Sequence, residues 1–114
     1  LFILFMNGPT GSDGAWQPNV DYVKLSVPNP TGFTDNGFSQ PFAADVNSDG
    51  LIDFIYASDL RGRVFKFDVR SGTPTEWDDA TNVAQIYTAV NASGTPQPIT
   101  GGFEASAHPQ GGIM

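Results

Sequence analysis

The sequence predicts an all-β protein built from short strands and frequent turns. Thirteen glycines and nine prolines occur among its 114 residues, and no long segment shows the apolar period of a helix. Aromatic residues make up 12% of the chain and charged residues only 15%. This composition is typical of a single turn-rich β domain over residues 1–114. Such strands form a sandwich, a barrel or a propeller.

The first half of the chain predicts three short strands. Residues 2–6 are apolar throughout and predict a buried strand, followed by a loop over 7–19 that is rich in Gly, Pro, Ser and Asp. Apolar and polar residues alternate over 21–27, which predicts a half-buried strand. Residues 38–44 predict a short edge-like strand.

The second half contains the strongest prediction, a hairpin. Residues 51–58 and 63–69 are rich in β-branched and aromatic residues, and Asp59-Leu-Arg-Gly62 joins them as a turn. Residues 82–90 fit either a strand or a single helical stretch, and a strand is favoured. Residues 97–107 predict a final strand.

Charge and length exclude several classes of partner. The net charge is −7 at pH 7, which argues against nucleic acid or an anionic membrane as a partner. Four of the five basic residues fall within positions 61–70, and the solvated face of the hairpin explains them most simply. The apolar start, residues 1–6, is too short for a membrane helix and lacks the flanks of a signal peptide. We therefore expect no membrane insertion, and we expect the chain to be a fragment of a larger protein.

The segment between the third and fourth predicted strands has the spacing of a calcium loop. Asp45, Asn47, Asp49 and Asp53 place side-chain oxygens at loop positions 1, 3, 5 and 9, and the carbonyl of Leu51 adds a ligand at position 7. Glycine follows at position 6, where it allows a sharp turn. Calcium takes roughly six to eight oxygen ligands, so these residues predict a Ca²⁺ site.

The calcium loop differs from an EF-hand because its flanks are strands. An EF-hand carries a bidentate Glu at position 12, and Tyr56 occupies that position here. Asp53 would supply the last ligand instead. The alternative is an Asp/Asn/Gly turn that holds no metal, since these residues dominate turns.

The residues offer little for catalysis, and we expect no enzyme. His108 is the only histidine and lies in a Pro/Gly-rich segment with no assigned nucleophile or orienting group. Adjacent residues in a strand face opposite ways, so Asp78-Asp79 predicts a solvated loop rather than paired catalytic carboxylates. The chain has no cysteine and no Gly-rich phosphate loop.

Three stretches taken together resemble a known family. Residues 45–68 combine the calcium loop, a tyrosine strand, an Asp-Leu-Arg-Gly turn and an aromatic strand that ends in Phe-Asp; residues 36–45 lead into this block and residues 97–112 follow it. In this order they resemble the C-terminal β-propeller of the type IV pilus PilC/PilY family of tip-associated adhesins. The chain departs from the usual family residues at Ser58, where Gly is common, and at Arg63, where Asn is common.

The resemblance implies a fold, a site and a role. The fold would be part of a quinoprotein-like β-propeller, one to two blades of antiparallel strands, with one calcium ion on Asp45, Asn47, Asp49 and Asp53. The role would be pilus extension, retraction control, twitching motility and attachment at the bacterial cell surface. Partners would be calcium together with pilus or minor pilin proteins or a host surface receptor. Open sheet edges would allow self-association.

Two other functions remain open from the sequence. An integrin-like calcium-binding propeller repeat of another surface protein shares the Asp-x-Asn-x-Asp-Gly-x-x-Asp loop. It does not call for the segment 107–112, Ala-His-Pro-Gln-Gly-Gly, which favours the pilus family. A quinoprotein enzyme fragment is the third alternative.

Overall fold

Most of the strands that the sequence predicts are present in the structure, and they are shorter than predicted. The computed structural model describes residues 1–29, 33–102 and 104–106. The six strands are β1 (Phe2–Leu4), β2 (Tyr22–Lys24), β3 (Phe42–Ala44), β4 (Phe54–Ser58), β5 (Arg63–Asp68) and β6 (Val83–Thr88).

The strands form two antiparallel sheets. β1 pairs with β2, and β3 to β6 form a four-stranded sheet in which each strand lies beside its neighbour in sequence. In the hairpin, Ile55 lies opposite Phe67 and Ala57 opposite Phe65, so these four side chains share one face. The larger sheet is therefore a simple up-and-down meander, and the pair β1–β2 is a separate, smaller unit.

The core lies between the smaller sheet and one face of the four-stranded sheet. The smaller sheet contributes to it through β2 and the residue directly after β2. Alternation along β5 buries Phe65 and Phe67, which are 2% and 0% exposed, and Phe38 packs its ring edge-on against both. The buried apolar cluster consists of Val23, Leu25, Ala57, Phe65, Phe67 and Val69. Burial of these side chains holds the smaller sheet against the larger one.

The strand prediction for residues 82–90 is confirmed as β6, and the helical alternative is wrong. A single 3₁₀ turn, Ala80–Asn82, precedes β6, and a second one, Pro74–Glu76, follows β5. The loop predicted over residues 7–19 carries no strand, apart from an isolated bridge at Pro18.

The prediction of a final strand over residues 97–107 is wrong. The described residues 97–102 and 104–106 contain no strand, and the nearest pairing is an isolated bridge between Val90 and Pro96. Proline has no N–H to donate to a ladder, and Pro96 and Pro98 stand at the start of this segment. Residue 107 lies outside the described residues.

Asp59 is the centre of the turn between β4 and β5. Its side chain is 1% exposed and accepts hydrogen bonds from the backbone N–H groups of Arg61 and Arg63 at 3.0 and 2.9 Å. Arg63 Nε and Asn36 Nδ2 donate to its other oxygen at 2.8 and 3.0 Å. Arg63 also donates to the carbonyl of Pro28 at 2.8 Å, so this group ties the exit from β2 to the hairpin.

The pKa of Asp59 lies below its usual range. Burial alone would raise the pKa, but the hydrogen bonds from Asn36 and Arg63, together with the Arg63 charge, outweigh it. The carboxylate therefore stays ionised inside the protein and forms a buried ion pair, with Arg63 8% exposed.

We expect Asp59→Asn to lower the free energy of unfolding by about 3–5 kcal/mol, because it leaves the Arg63 guanidinium buried without a counter-charge. Asp68→Asn is the matched control, since Asp68 forms an ion pair with the exposed Arg70 and such pairs contribute little. Urea unfolding at pH 7 measures both variants. Equal losses in the two would contradict a special role for Asp59.

The depressed pKa of Asp59 also predicts a pH dependence. The unfolded chain binds this proton more readily than the folded protein, so stability rises with pH. The contribution is fully present above about pH 4, the unfolded value, and is lost as the pH falls through the folded pKa. Thermal melts from pH 7 to pH 2.5 should show a steeper loss for the wild-type protein than for Asp59→Asn. Parallel curves would count against the assignment.

Candidate metal centre

The predicted calcium loop connects β3 to β4 and is anchored at both ends. Asp53 donates its backbone N–H to the carbonyl of Ala44 at 2.9 Å, and its carbonyl accepts the N–H of Val69 at 3.0 Å. The Asp53 side chain is 6% exposed and accepts the N–H of Val46 at 2.8 Å. These contacts fix the C-terminal end of the loop against the sheet.

Inside the loop, the Asp and Asn side chains organise the backbone. Asp45 Oδ1 accepts the N–H groups of Ser48 and Asp49 at 2.7 and 3.3 Å, and Oδ2 accepts that of Gly50 at 2.8 Å. Asn47 Oδ1 accepts the N–H of Asp49 at 2.9 Å. Ser48 and Gly50 adopt φ of +62° and +88°, which turns the chain sharply enough to bring the polar side chains toward one another.

These hydrogen bonds stabilise negative charge in the loop. The N–H of Gly50 contributes most to lowering the pKa of Asp45; partial burial opposes it, and the N–H groups of Ser48 and Asp49 add to it. Asp45 is therefore an anion at neutral pH, and its carboxylate is a potential ligand for a hard cation.

Four of the five predicted ligands line one cavity of about 600 Å³: Asn47, Asp49, Leu51 and Asp53. Asp45 lies outside that cavity, with both carboxylate oxygens turned onto loop N–H groups. Leu51 is 71% exposed. The structure thus brings four of the predicted ligands to one cavity, and Asp45 contacts the same loop through the N–H groups of Ser48, Asp49 and Gly50.

The five predicted ligands match calcium in the type of donor atom. Their arrangement in the structure matches it less well. All five groups are oxygen donors, as a hard cation requires. Within residues 1–29, 33–102 and 104–106, however, no three His, Cys, Asp or Glu side chains form a group that could hold a metal ion. Each carboxylate oxygen carries two lone pairs, so Asp45 and Asp49 could contact an ion while keeping hydrogen bonds within the loop.

Asp53 differs from Asp59 in how its charge is compensated. The two carboxylates stand at opposite ends of β4, and both are buried. Asp59 has Arg63 as a close partner, whereas no Lys or Arg of the described residues forms an ion pair with Asp53. Arg70 lines the same cavity and interacts with Asp53 at longer range, so it offsets only part of the cost of burying that carboxylate.

The basic residues do not form the solvated face that the sequence suggested. Arg63 is buried in its ion pair, Arg61 stacks on the Phe33 ring at 3.3 Å, and the Lys66 ammonium lies 3.7 Å from the centroid of the Phe54 ring. Cations placed over aromatic faces gain electrostatic attraction and cover apolar surface. Three of the four basic residues at positions 61–70 therefore make contacts within the protein.

Sequence reasoning missed Asp21 as an organising residue. Its side chain is fully buried and accepts the backbone N–H groups of Thr10 and Gln17 at 3.0 and 2.8 Å, which folds the loop before β2 around it. Asp21 was predicted only as the first residue of a strand. An Asp at the junction of a Gly/Pro-rich loop and an alternating segment is the signal that could have identified it.

Among the described residues, the remaining polar candidates form no second site. Asp78 and Asp79 are exposed, as predicted, and Asp78 accepts the N–H of Ser26 at 2.5 Å. His108 lies outside the described residues. None of the helical segments in the described part of the chain has the length and apolar character needed to cross a membrane.

The fold and the loop define a β-propeller protein: a four-stranded meander, part of a second blade, and an Asp/Asn-rich loop between strands. The chain matches the PilY1 β-propeller domain over residues 22–110 and belongs to that family. The resemblance found in the sequence and the propeller fold are thereby confirmed.

Several known proteins are similar to this chain. The type IV pilus biogenesis factor PilY1 homolog of Xylella fastidiosa is 34% identical over 91 residues, and PilY1 of Pseudomonas aeruginosa strain PAO1 is 36% identical over 102 residues. Each match covers 75% of this chain but only 6% and 9% of the respective relative. The crystal structure of the P. aeruginosa PilY1 C-terminal domain superposes with a TM-score of 0.61 at 31% identity, over 77% of this chain and 21% of that one.

The loop geometry predicts a specific cost for losing its glycine. A Cβ on Gly50 would meet open space, so Gly50→Ala perturbs only the backbone, and at φ +88° we expect a loss of about 1–2 kcal/mol in the free energy of unfolding. Gly72→Ala is the control, because it also meets open space but has no left-handed φ. Urea unfolding with chelator present measures both. A neutral Gly50 variant would show that the turn tolerates other conformations.

Proposed function

We propose that this chain is a calcium-binding segment of a type IV pilus biogenesis or tip adhesin protein, acting in pilus extension, twitching motility and surface attachment. The match to the PilY1 propeller over residues 22–110 carries the proposal, since it includes the whole loop 45–53. Relatives named as type IV pilus biogenesis factors support a place at the bacterial pilus or cell surface. The chain spans less than a tenth of their length, so it would contribute one part of a larger assembly.

Calcium binding rests on three features of loop 45–53. The donors are all oxygens at the required spacing, four of the five line one cavity, and Asp53 is a buried carboxylate with which no described Lys or Arg forms an ion pair. Asp45, Asn47, Asp49, the Leu51 carbonyl and Asp53 would hold the ion. Bound calcium supplies positive charge that offsets the three carboxylates.

A structural role follows for the loop residues. Asp53 is hydrogen-bonded into the junction of β3, β4 and β5, whereas Asn47 and Asp49 are exposed. Ligands drawn from both parts would join the exposed tip of the loop to the sheet. Because the ion binds the folded loop in preference to the unfolded chain, it would stabilise the folded state by mass action.

We propose a binding role rather than an enzymatic one. The partners would be calcium and pilus or minor pilin proteins, or a receptor on a host surface. The family match favours this function over an integrin-like repeat of another surface protein, which shares only the loop pattern. The family match also favours the pilus function over that of a quinoprotein enzyme fragment.

Calorimetric titration of chelator-treated protein with CaCl₂ tests the site. We expect one ion per chain and a higher thermal midpoint. Asp49→Asn should weaken binding by about tenfold or more, because affinity follows the number of charged ligands. Asp49 is exposed, so the variant should still fold. Asp35→Asn, an exposed change outside the loop, is the control and should bind normally. Absence of both heat and any change in thermal midpoint with the wild-type protein would show that the loop is a turn without metal.

The cellular role needs the full-length protein in the bacterium that encodes it. Asp49→Asn in that protein should reduce surface piliation and twitching at normal expression, whereas Asp35→Asn should leave both unchanged. Normal twitching in the Asp49→Asn strain would separate calcium binding from pilus function.

A further inference from the structure

The face of the hairpin that points away from the core carries two cations on one aromatic ring. Along β5 the odd-numbered residues are buried, whereas Lys66 and Asp68 belong to the opposite face. Phe54 lies opposite Asp68 in the ladder, and the Lys66 ammonium and the Arg70 guanidinium lie 3.7 and 4.9 Å from the centroid of its ring. An aromatic face attracts cations electrostatically. The Phe54 ring therefore helps to keep Arg70 on the outer face of the sheet.

Asp68 fixes the direction of the Arg70 guanidinium. Asp68 Oδ1 accepts a hydrogen bond from Arg70 Nε at 2.9 Å, and Oδ2 accepts one from Nη2 at 2.6 Å. Two parallel bonds between a guanidinium and a carboxylate specify orientation as well as distance. These bonds contribute most to raising the pKa of Arg70, and the negative charge of Asp53 adds to the rise. Arg70 thus has Asp68 as its close partner and Asp53 as a second, more distant anion.

Arg70 also borders the proposed ion site. Arg70 and Asp53 line the same cavity, and Val69, the residue before Arg70, donates its backbone N–H to the Asp53 carbonyl at 3.0 Å. The Arg70 side chain is 58% exposed, which leaves it room to reorient. Without Asp68, the guanidinium would be free to turn from the Phe54 ring toward the Asp53 carboxylate.

We infer that Arg70 competes with calcium for Asp53, and that Asp68 limits this competition by holding the guanidinium over the Phe54 ring. The inference rests on the proposed calcium site and assigns two residues that set its affinity without being ligands. A cation beside the site repels the ion, and a guanidinium paired with Asp53 would take a carboxylate away from it. Asp68 is a positioning residue, because it acts on the ion through Arg70.

Removing the Arg70 charge should tighten calcium binding. We expect Arg70→Gln to lower the Kd for calcium about three- to fivefold at low salt, because a positive charge near the ion is lost. The gain should largely vanish in about 1 M NaCl, where the Debye length is about 3 Å. Calorimetric titration of chelator-treated protein with CaCl₂ measures both.

Lys24→Gln is the matched control for Arg70→Gln. It removes the same charge from an exposed residue that lines a different cavity together with Asp59, at the other end of β4 from Asp53. This variant should bind calcium as the wild-type protein does. Equal affinities of the Arg70→Gln and Lys24→Gln proteins would overturn the competition.

A double-mutant cycle separates the restraint from the loss of a negative charge. Asp68→Asn removes an anion and also releases Arg70, so we expect calcium binding to weaken about tenfold in the wild-type background. In the Arg70→Gln background the same change only removes an anion, and the loss should be about threefold or less. Equal losses in the two backgrounds would overturn the restraint. Asp68→Asn should still fold, because an exposed ion pair contributes little to stability.

The crystal structure of metal-free Asp68→Asn tests the restraint without calcium. We expect the Arg70 guanidinium within hydrogen-bond distance of the Asp53 carboxylate. A guanidinium that stays over the Phe54 ring would overturn the restraint.

The outcomes separate this inference from the proposed function. If the wild-type protein binds calcium and Arg70→Gln binds it no more tightly, the site stands and the competition is overturned. If the wild-type protein binds no calcium, the proposed site fails and the competition fails with it. The Asp68→Asn structure then still decides whether Asp68 keeps Arg70 away from Asp53.

Discussion

The buried ion pair between Asp59 and Arg63 is the interaction on which the packing of the two sheets depends. Apolar burial draws β2 against the larger sheet, but it is not directional. The Arg63 guanidinium in the hairpin donates a hydrogen bond to the carbonyl of Pro28. Asp59 accepts a hydrogen bond from Asn36, which lies in the segment between β2 and β3. These bonds fix how the chain leaves the smaller sheet and approaches the larger one. The backbone N–H of Ile99 also donates to the Asp59 carbonyl, so the C-terminal segment is held at the same point.

A second carboxylate stands at the other end of β4 in a different electrostatic setting. Asp59 is paired with Arg63 within the fold and stabilises it. Asp53 is nearly as buried, but no Lys or Arg of the described residues forms an ion pair with it, and Arg70 interacts with it only at longer range. One strand is thus bounded by two buried carboxylates, one with a close internal partner and one without. This difference is a physical reason to propose an ion at Asp53 and not at the turn.

Patterns that depend on neighbouring residues could be predicted from the sequence, and those that depend on distant ones could not. The alternation along β5 predicts the buried face that contains Phe65 and Phe67. The spacing of Asp, Asn and Gly predicts the turn that follows β3. The prediction of a strand over 97–107 was wrong, because Pro96 and Pro98 have no N–H to donate to a neighbouring strand. Arg63 was predicted as exposed, since its partners at Pro28 and Asp59 become visible only when the hairpin packs. The separation of Asp45 from the cavity is likewise a matter of side-chain orientation, which spacing does not specify.

The smaller sheet covers part of the face that the meander presents. Among the described residues it consists of β1 and β2, and Val23 and Leu25 supply the fully buried side chains on this side of the core. Ile55 on β4 and Val69 directly after β5 line an open groove together with Asp53 and Arg70. Low-dielectric surroundings strengthen the attraction between opposite charges, and water weakens it. The long-range interaction of Asp53 with Arg70 in this groove is therefore weaker than the contact between Asp59 and Arg63 inside the fold.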